Sequence, residues 1–151
     1  MDRNLSVVCV LLLSLNLLVA SCNGSSMGIT QNATFDQLLV RPTQFNGRTV
    51  SVEGFYFHGF EVIVLCERLD YSGYASGHLI PVGEKIWIEG SIPPDVYDNL
   101  YQQEMMDPIE YFGKIRITGK FEHGGKYGHL DAYTCQIIPD KVKLLPWSPP
   151  R

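Results

Sequence analysis

The segment GKIRITGKFEH, residues 113–123, alternates apolar and polar side chains with a period of two. Ile115, Ile117 and Phe121 fall on one side, and Lys114 and Arg116 fall on the other. Successive side chains of a β-strand point to opposite faces, so this pattern predicts a strand with one buried face. An element of this kind favours an all-β or β-rich fold.

Four further segments have the composition of strands, namely TVSVEGFYF, FEVIVLCE, KIWIEG and HLDAYTCQII. Gly54 lies inside the first of them and predicts a bend that lets one strand serve two faces. We expect the segment KVKLLPW to add an edge strand and residues 68–84 to form a long loop. The predicted fold therefore has five main strands.

Two helices are predicted around these strands. Thr34 and Gln37 have the spacing of a capping box, which predicts a short helix before the first strand that ends near Pro42. The segment DVYDNLYQQEMM repeats apolar residues at helical spacing and predicts a longer helix between the third and fourth strands.

The chain divides into four segments by composition. Residues 1–21 have the short cationic head and apolar stretch of a secretory signal peptide, and the stretch is too interrupted to span a bilayer. Small residues then predict a flexible tether over 22–33. We expect a single folded domain over 34–147 and a proline-rich, disordered tail over 148–151.

The order of three strands, a helix and two more strands, with a bent first strand, resembles the OB-fold, a small five-stranded barrel. The segments LLVRPTQFNGRTVSVEGFYFH and IRITGKF…YGHLDAY are similar to the opening and the last hairpin of exported OB-like domains of bacterial proteins. The resemblance covers residues 34–145. It implies an OB-fold-like barrel, and it says more about fold than about function.

The residues Val19, Ala20, Ser21 and Cys22 resemble the lipobox of bacterial lipoproteins, with Val19 where the family usually has leucine. This resemblance implies cleavage before Cys22, a lipid attached to its thiol and an extracytoplasmic domain anchored to the bacterial cell membrane. Several acyl chains are needed because a single chain anchors a protein only weakly. An ordinary cleaved signal peptide is the alternative, and in a eukaryotic source Asn23 and Asn32 would begin glycosylation motifs.

Cys66 and Cys135 are the cysteines that remain in the predicted domain. In an oxidising compartment they could form a disulfide, and the alternative is two buried thiols. His123 and His129 flank the last hairpin turn and are weak candidates for a metal site, because the close spacing of zinc ligands is missing. The sequence has no serine nucleophile elbow and no phosphate loop, so we expect no enzymatic activity and no cofactor.

Binding is the function that the predicted fold favours. OB-folds bind ligands on strands two and three and on two adjacent loops, and here that region would carry aromatic and cationic side chains: Tyr71, Tyr74, His78, Trp87, Lys126 and Tyr127. The same aromatic residues could instead close the ends of the barrel.

The formal net charge of −4 makes a protein or glycan ligand more plausible than nucleic acid. An oligonucleotide-binding module and a metal or redox protein remain as alternatives.

Overall fold

The computed structural model describes residues 29–104 and 108–150. Its seven strands are β1 (Gln31–Asn32), β2 (Thr49–Gly59), β3 (Val62–Tyr71), β4 (Leu79–Ile88), β5 (Tyr101–Gln103), β6 (Glu110–Tyr127) and β7 (Tyr133–Leu144). Three short helices are α1 (Phe35–Val40), α2 (Pro42–Phe45) and α3 (Pro94–Tyr97). A single 3₁₀ turn, His129–Asp131, lies between β6 and β7. The β-rich fold predicted from the sequence is confirmed.

The capping box predicted at the start of α1 is formed. Thr34 Oγ1 accepts a hydrogen bond from the Gln37 backbone N–H at 3.2 Å, and Gln37 Oε1 accepts one from the Thr34 N–H at 2.9 Å. Both bonds satisfy N–H groups that a helix start leaves unpaired. Helix α1 ends at Val40, and Pro42 occupies the first turn of α2, where proline is tolerated.

All seven strands belong to one mixed sheet in the order β1-β2-β3-β4-β7-β6-β5, and β2 also pairs with β6. The pairings of the five long strands therefore close on themselves: β2 with β3, β3 with β4, β4 with β7, β7 with β6, and β6 with β2. The β4–β7 pairing is parallel, and the other four are antiparallel. The segment of β2 from Phe55 to His58 has a neighbour on each side, β3 and β6.

Side chains from both sides of the sheet are buried. The main core contains alternate residues of the long strands, and its fully buried members include Val50, Leu65, Ile86, Ile117, Phe121 and Ile137. A smaller outer cluster forms around Phe57, Val64, Leu79 and Phe112 and is covered in part by Trp147. Trp147 is the last residue of the predicted domain, so the end of this domain packs against the second cluster.

The predicted helix DVYDNLYQQEMM is wrong over residues 98–104, after its first turn. Helix α3 ends at Tyr97, and Tyr101–Gln103 instead form β5, paired with the start of β6. The Tyr101 ring stacks on Phe112, with ring centroids 5.9 Å apart, and its hydroxyl donates to the Trp147 carbonyl. Cross-strand hydrogen bonds and aromatic packing therefore outweigh the helical spacing of Val96, Leu100 and Tyr101.

The predicted loop over 68–84 is also wrong over most of its length. Strand β3 continues to Tyr71 and β4 begins at Leu79, so only residues 72–78 connect them. The segment was predicted as a loop because most of its residues are polar or glycine. In the structure, exposed residues of these strands alternate with less exposed ones such as Leu69 and Leu79. The expected edge strand KVKLLPW is the continuation of β7, which runs without a break to Leu144.

The ends of the domain differ from the prediction in detail. Gln31–Asn32, within the predicted tether, pair in parallel with Val50 and Ser51 of β2. Residues 148–150 have no regular secondary structure. The predicted signal peptide, the lipobox and Cys22 lie outside the described residues. Within the described part of the chain, no helix combines the length and apolar character needed to cross a membrane.

Candidate functional site

An open cleft of about 410 Å³ lies where the β2–β3 turn meets the β6–β7 loop. The turn contributes Gly59, Glu61, Val62 and Ile63, the loop contributes Gly128 and His129, and His58, Trp87 and Glu89 complete the lining. Two loops and the ends of three strands thus form one concave surface. Its charged side chains are carboxylates, and its lining contains no Lys or Arg.

The two loops that border the cleft touch each other. His129 Nε2 lies 3.1 Å from Glu61 Oε2, and both side chains are partly exposed. Phe60 and Leu130, the residues next to this contact, project into solvent with 68% and 84% of their surface exposed. The cleft therefore has a Glu61–His129 contact beside it and an apolar side chain at the tip of each loop.

The same two loops hold non-glycine residues in left-handed backbone conformations. Among the described residues, positive φ outside glycine occurs at Glu61 (57°), Leu130 (52°) and Asp131 (58°). Such conformations are unfavourable for L-residues with a Cβ atom, and they persist where surrounding structure holds them. Within residues 29–104 and 108–150, backbone strain of this kind therefore occurs only in the two loops that border the cleft.

Trp87 forms the aromatic wall of the cleft and is fixed on several sides. Its Nε1–H donates to Glu89 Oε2 at 2.9 Å, and its ring lies 5.3 Å from the ring of Tyr133. A Cβ atom at Gly128 would lie 2.6 Å from the Trp87 ring and 2.7 Å from Tyr133, and Gly128 has a φ of 70°. Glycine at this position therefore lets the loop backbone lie against the indole.

His58, near the end of β2, also lines the cleft. Its Nδ1 is 3.1 Å from the Tyr97 hydroxyl, which connects the cleft to α3. Burial lowers the pKa of His58 because the imidazolium form loses hydration. The shift favours a neutral imidazole.

The six residues predicted as a ligand surface do not lie together. Trp87 lines the cleft, whereas Tyr71 and Tyr74 are exposed around a separate concavity beside Pro150. His78 is buried, with Nε2 2.9 Å from Glu110 Oε2, and connects the β3–β4 hairpin to β6. Lys126 and Tyr127 lie at the end of β6 and are not part of the cleft lining.

Glu61, Glu89 and His58 are the cleft residues that the sequence reasoning missed. Glu61 is the second residue of the predicted strand FEVIVLCE, and Glu89 is the next-to-last residue of the predicted strand KIWIEG, so both lie near the ends of predicted strands. Their place beside a hairpin turn was a usable signal, because binding residues concentrate on loops held by a rigid scaffold. Their convergence with His129 depends on strand register.

The two weak metal candidates are separated. His123 Nδ1 contacts the Cys135 thiol at 3.4 Å, whereas His129 contacts Glu61. Residues 29–104 and 108–150 contain no group of three or more His, Cys, Asp or Glu side chains placed to hold a metal ion.

The disulfide considered from the sequence is not formed, because Cys66 and Cys135 are both free and buried. Cys66 is in register with Phe55 and Lys85, whereas Cys135 lies in the main core, and β4 separates their strands. A disulfide requires Cβ atoms that face each other at short distance, which this arrangement does not provide. The Cys66 thiol instead donates to the Arg68 or Phe55 carbonyl, and burial raises its pKa to about 12.

No protein-family model, no curated protein and no solved structure matches this chain with significance.

Proposed function

We propose that this protein is an exported lipoprotein whose single OB-fold-like domain binds a protein or glycan ligand without catalysing a reaction. The observation that carries the proposal is the cleft itself. Two loops with strained backbone, at Glu61 and Leu130, border an open concave surface with Trp87 as its aromatic wall. Strained residues held by surrounding structure concentrate at binding sites.

The pattern of strand pairing supports an OB-fold-like barrel. Five long strands pair in a closed circuit, and the third of them pairs in parallel with the fifth. A short helix, α3, lies between the third and fourth long strands, as the resemblance implies. In that fold the loops between strands one and two and between strands four and five bind ligands. The corresponding loops here are the two that border the cleft.

Lipid on Cys22 is the second part of the proposal, and it is supported by the lipobox-like residues 19–22 and the apolar stretch before them. Metabolic labelling with a fatty acid in a bacterial host tests it. We expect the label and membrane association to be lost in Cys22→Ala, while the variant is still exported. Retention of both in Cys22→Ala would contradict the anchor.

The charge of the cleft counts against the oligonucleotide alternative. The lining contains Glu61 and Glu89 but neither Lys nor Arg, whereas single-strand binding needs a positively charged groove. Burial raises the pKa of both Cys66 and Cys135, which disfavours the thiolate that a redox role requires. No observation in the described part of the chain favours either alternative over ligand binding.

The binding proposal is tested with nitrogen-labelled mature chain, residues 22–151, carrying Cys22→Ser. We expect short peptides or oligosaccharides to shift the resonances of Trp87, Glu61 and His129. Ser76→Leu, on the exposed β3–β4 connection, serves as a matched surface variant that leaves these shifts unchanged. Shifts confined to the Tyr74 region, or none at all, would overturn the assignment of the cleft.

A further inference from the structure

A second cavity adjoins the cleft and has a different chemical character. It has a volume of about 300 Å³, and its walls are mainly apolar: Tyr56, Ile63, Ile92, Pro94 and Tyr97. His58 and Ile63 line both cavities, so the two form a continuous surface. We refer to this second cavity as the apolar pocket.

The size and construction of the apolar pocket suit one large side chain. Its volume is at the lower end of the range for ligand sites, about 300–1,000 Å³, which leaves room for a single apolar group. The Tyr97 hydroxyl is held 3.1 Å from His58 Nδ1, and the Tyr97 and Tyr111 rings have centroids 4.5 Å apart. These contacts hold the wall in place, so a side chain can enter without first ordering it.

The charges around the two cavities have one sign. Glu61 and Glu89 line the cleft and Asp98 lines the apolar pocket, while neither lining includes Lys or Arg. Among the ion pairs of the described residues, Glu61 contacts His129, and neither Glu89 nor Asp98 takes part in one. Carboxylates of one sign that line a concave site create a field that attracts a cation.

We propose that the ligand is a peptide segment of a partner protein in which a large apolar side chain lies beside Lys or Arg. The apolar side chain fills the apolar pocket, and the basic side chain lies in the cleft near Glu89 and the Trp87 ring. A cation between a carboxylate and an indole face is attracted by both, through a charge-assisted hydrogen bond to the carboxylate and a cation–π interaction with the ring. This inference rests on the proposed function and assigns the chemistry of its ligand.

An extended peptide fits this surface better than a compact ligand does. Both cavities are open to solvent and meet end to end at His58 and Ile63, which suits adjacent side chains of one chain. Phe60 and Leu130 project from the two loops beside the cleft, and they can cover a bound segment with apolar surface. A small neutral sugar would leave the unpaired carboxylates without a partner of opposite charge.

The test measures peptide binding to the mature chain carrying Cys22→Ser by nuclear magnetic resonance. The probes are the capped peptides Gly-Phe-Lys-Gly, Gly-Phe-Glu-Gly and Gly-Ala-Lys-Gly, and chitotetraose as a neutral glycan. We expect the Phe-Lys peptide to bind about tenfold more tightly than the Phe-Glu peptide, because attraction to the carboxylates is replaced by repulsion. High salt should reduce this difference.

Variants separate the two parts of the site. Glu89→Gln and Asp98→Asn are each expected to lower the affinity for the Phe-Lys peptide by about two- to fivefold, which is the effect of losing an exposed ion pair. Asp140→Asn, an exposed carboxylate on β7 outside both cavities, is the matched control and should change nothing. Ser91→Leu fills the mouth of the apolar pocket and should weaken the Phe-Lys peptide while leaving the Ala-Lys peptide unaffected.

The possible outcomes distinguish this inference from the proposed function. Equal binding of the Phe-Lys and Phe-Glu peptides, or no effect of Ser91→Leu, would overturn the inference. In either case the proposed function would stand if any probe, chitotetraose included, still shifted the resonances of Trp87 and Glu61. If none of the four probes shifted them at millimolar concentration, both would be overturned.

Discussion

His129 Nε2 lies 3.1 Å from Glu61 Oε2, and this contact joins the β6–β7 loop to the β2–β3 turn. The two residues are far apart in the sequence, since Glu61 follows β2 and His129 follows β6, and they meet in the folded domain. Glu61 itself has a φ of 57°, and Leu130, which follows His129, has a φ of 52°. The contact thus connects the two strained loops at the border of the cleft.

The strength of this contact can be measured with Glu61→Gln, His129→Gln and the double variant. Both side chains are partly exposed, so we expect a coupling free energy of only about 0.2–1 kcal/mol. The coupling free energy is obtained from the urea unfolding of the unsubstituted protein, the two single variants and the double variant. A coupling well above this range would mean that the pair is more strongly held than its exposure implies.

The strain at Leu130 is expected to cost stability. Leu130→Ala and Leu130→Gly both remove the exposed side chain, but only glycine adopts a positive φ freely. We expect Leu130→Gly to be more stable than Leu130→Ala by about 1 kcal/mol in the free energy of unfolding. Because both variants lack the leucine side chain, the difference between their free energies of unfolding measures the backbone strain. Equal free energies of unfolding would show that the loop is not strained.

The stability of the protein should depend on pH through His58. Burial lowers the pKa of His58 in the folded state, whereas in the unfolded chain His58 has its ordinary pKa of about 6.5. As the pH falls through about 6.5, the unfolded chain therefore binds more protons than the folded protein does. The free energy of unfolding is therefore expected to decrease from neutral pH toward pH ~5. Urea unfolding at several pH values, with His58→Gln as the comparison, measures this slope. An unchanged slope in His58→Gln would assign the pH dependence to other groups.

Gly119 is required at a register shift in the antiparallel pairing of β6 with β7. A Cβ atom at this position would lie 2.2 Å from the Ile138 carbonyl oxygen, which belongs to the backbone and cannot move aside easily. We expect Gly119→Ala to lower the free energy of unfolding by about 2–4 kcal/mol. Gly47→Ala is the comparison, because a Cβ there meets no atom within 4 Å and the cost arises only from its φ of 74°. A smaller loss for Gly119→Ala than for Gly47→Ala would contradict this packing.

Cys66 and Cys135 should behave as inert, buried thiols. Both have raised pKa values because burial disfavours the thiolate. We expect neither to react readily with a thiol reagent in the folded Cys22→Ser chain, and both to react after denaturation without a reducing agent. A protein that yields no free thiol after denaturation would contain the disulfide that the fold separates.

The sequence by itself determined the β-rich class and the elements with strong local signals. The alternation of β6, the capping box at Thr34 and the turn after His58 follow from neighbouring residues, so local reasoning found them. The start of α3 at Pro94 belongs to the same group. The segment Tyr101–Gln103 was predicted wrongly because its conformation depends on a strand partner: its backbone pairs with Glu110–Phe112.

Only the tertiary structure decided which residues form the cleft. Of the six aromatic and cationic residues predicted as a ligand surface, only Trp87 lines the cleft. Glu61, Glu89 and His129 come from three separate segments that line one cleft. The register of β3 with β4, in which Val64 lies opposite Trp87, brings the β2–β3 turn close to Glu89. A local pattern specifies how a strand alternates, but the pairing of strands remote in the chain is set by the packing of the whole domain.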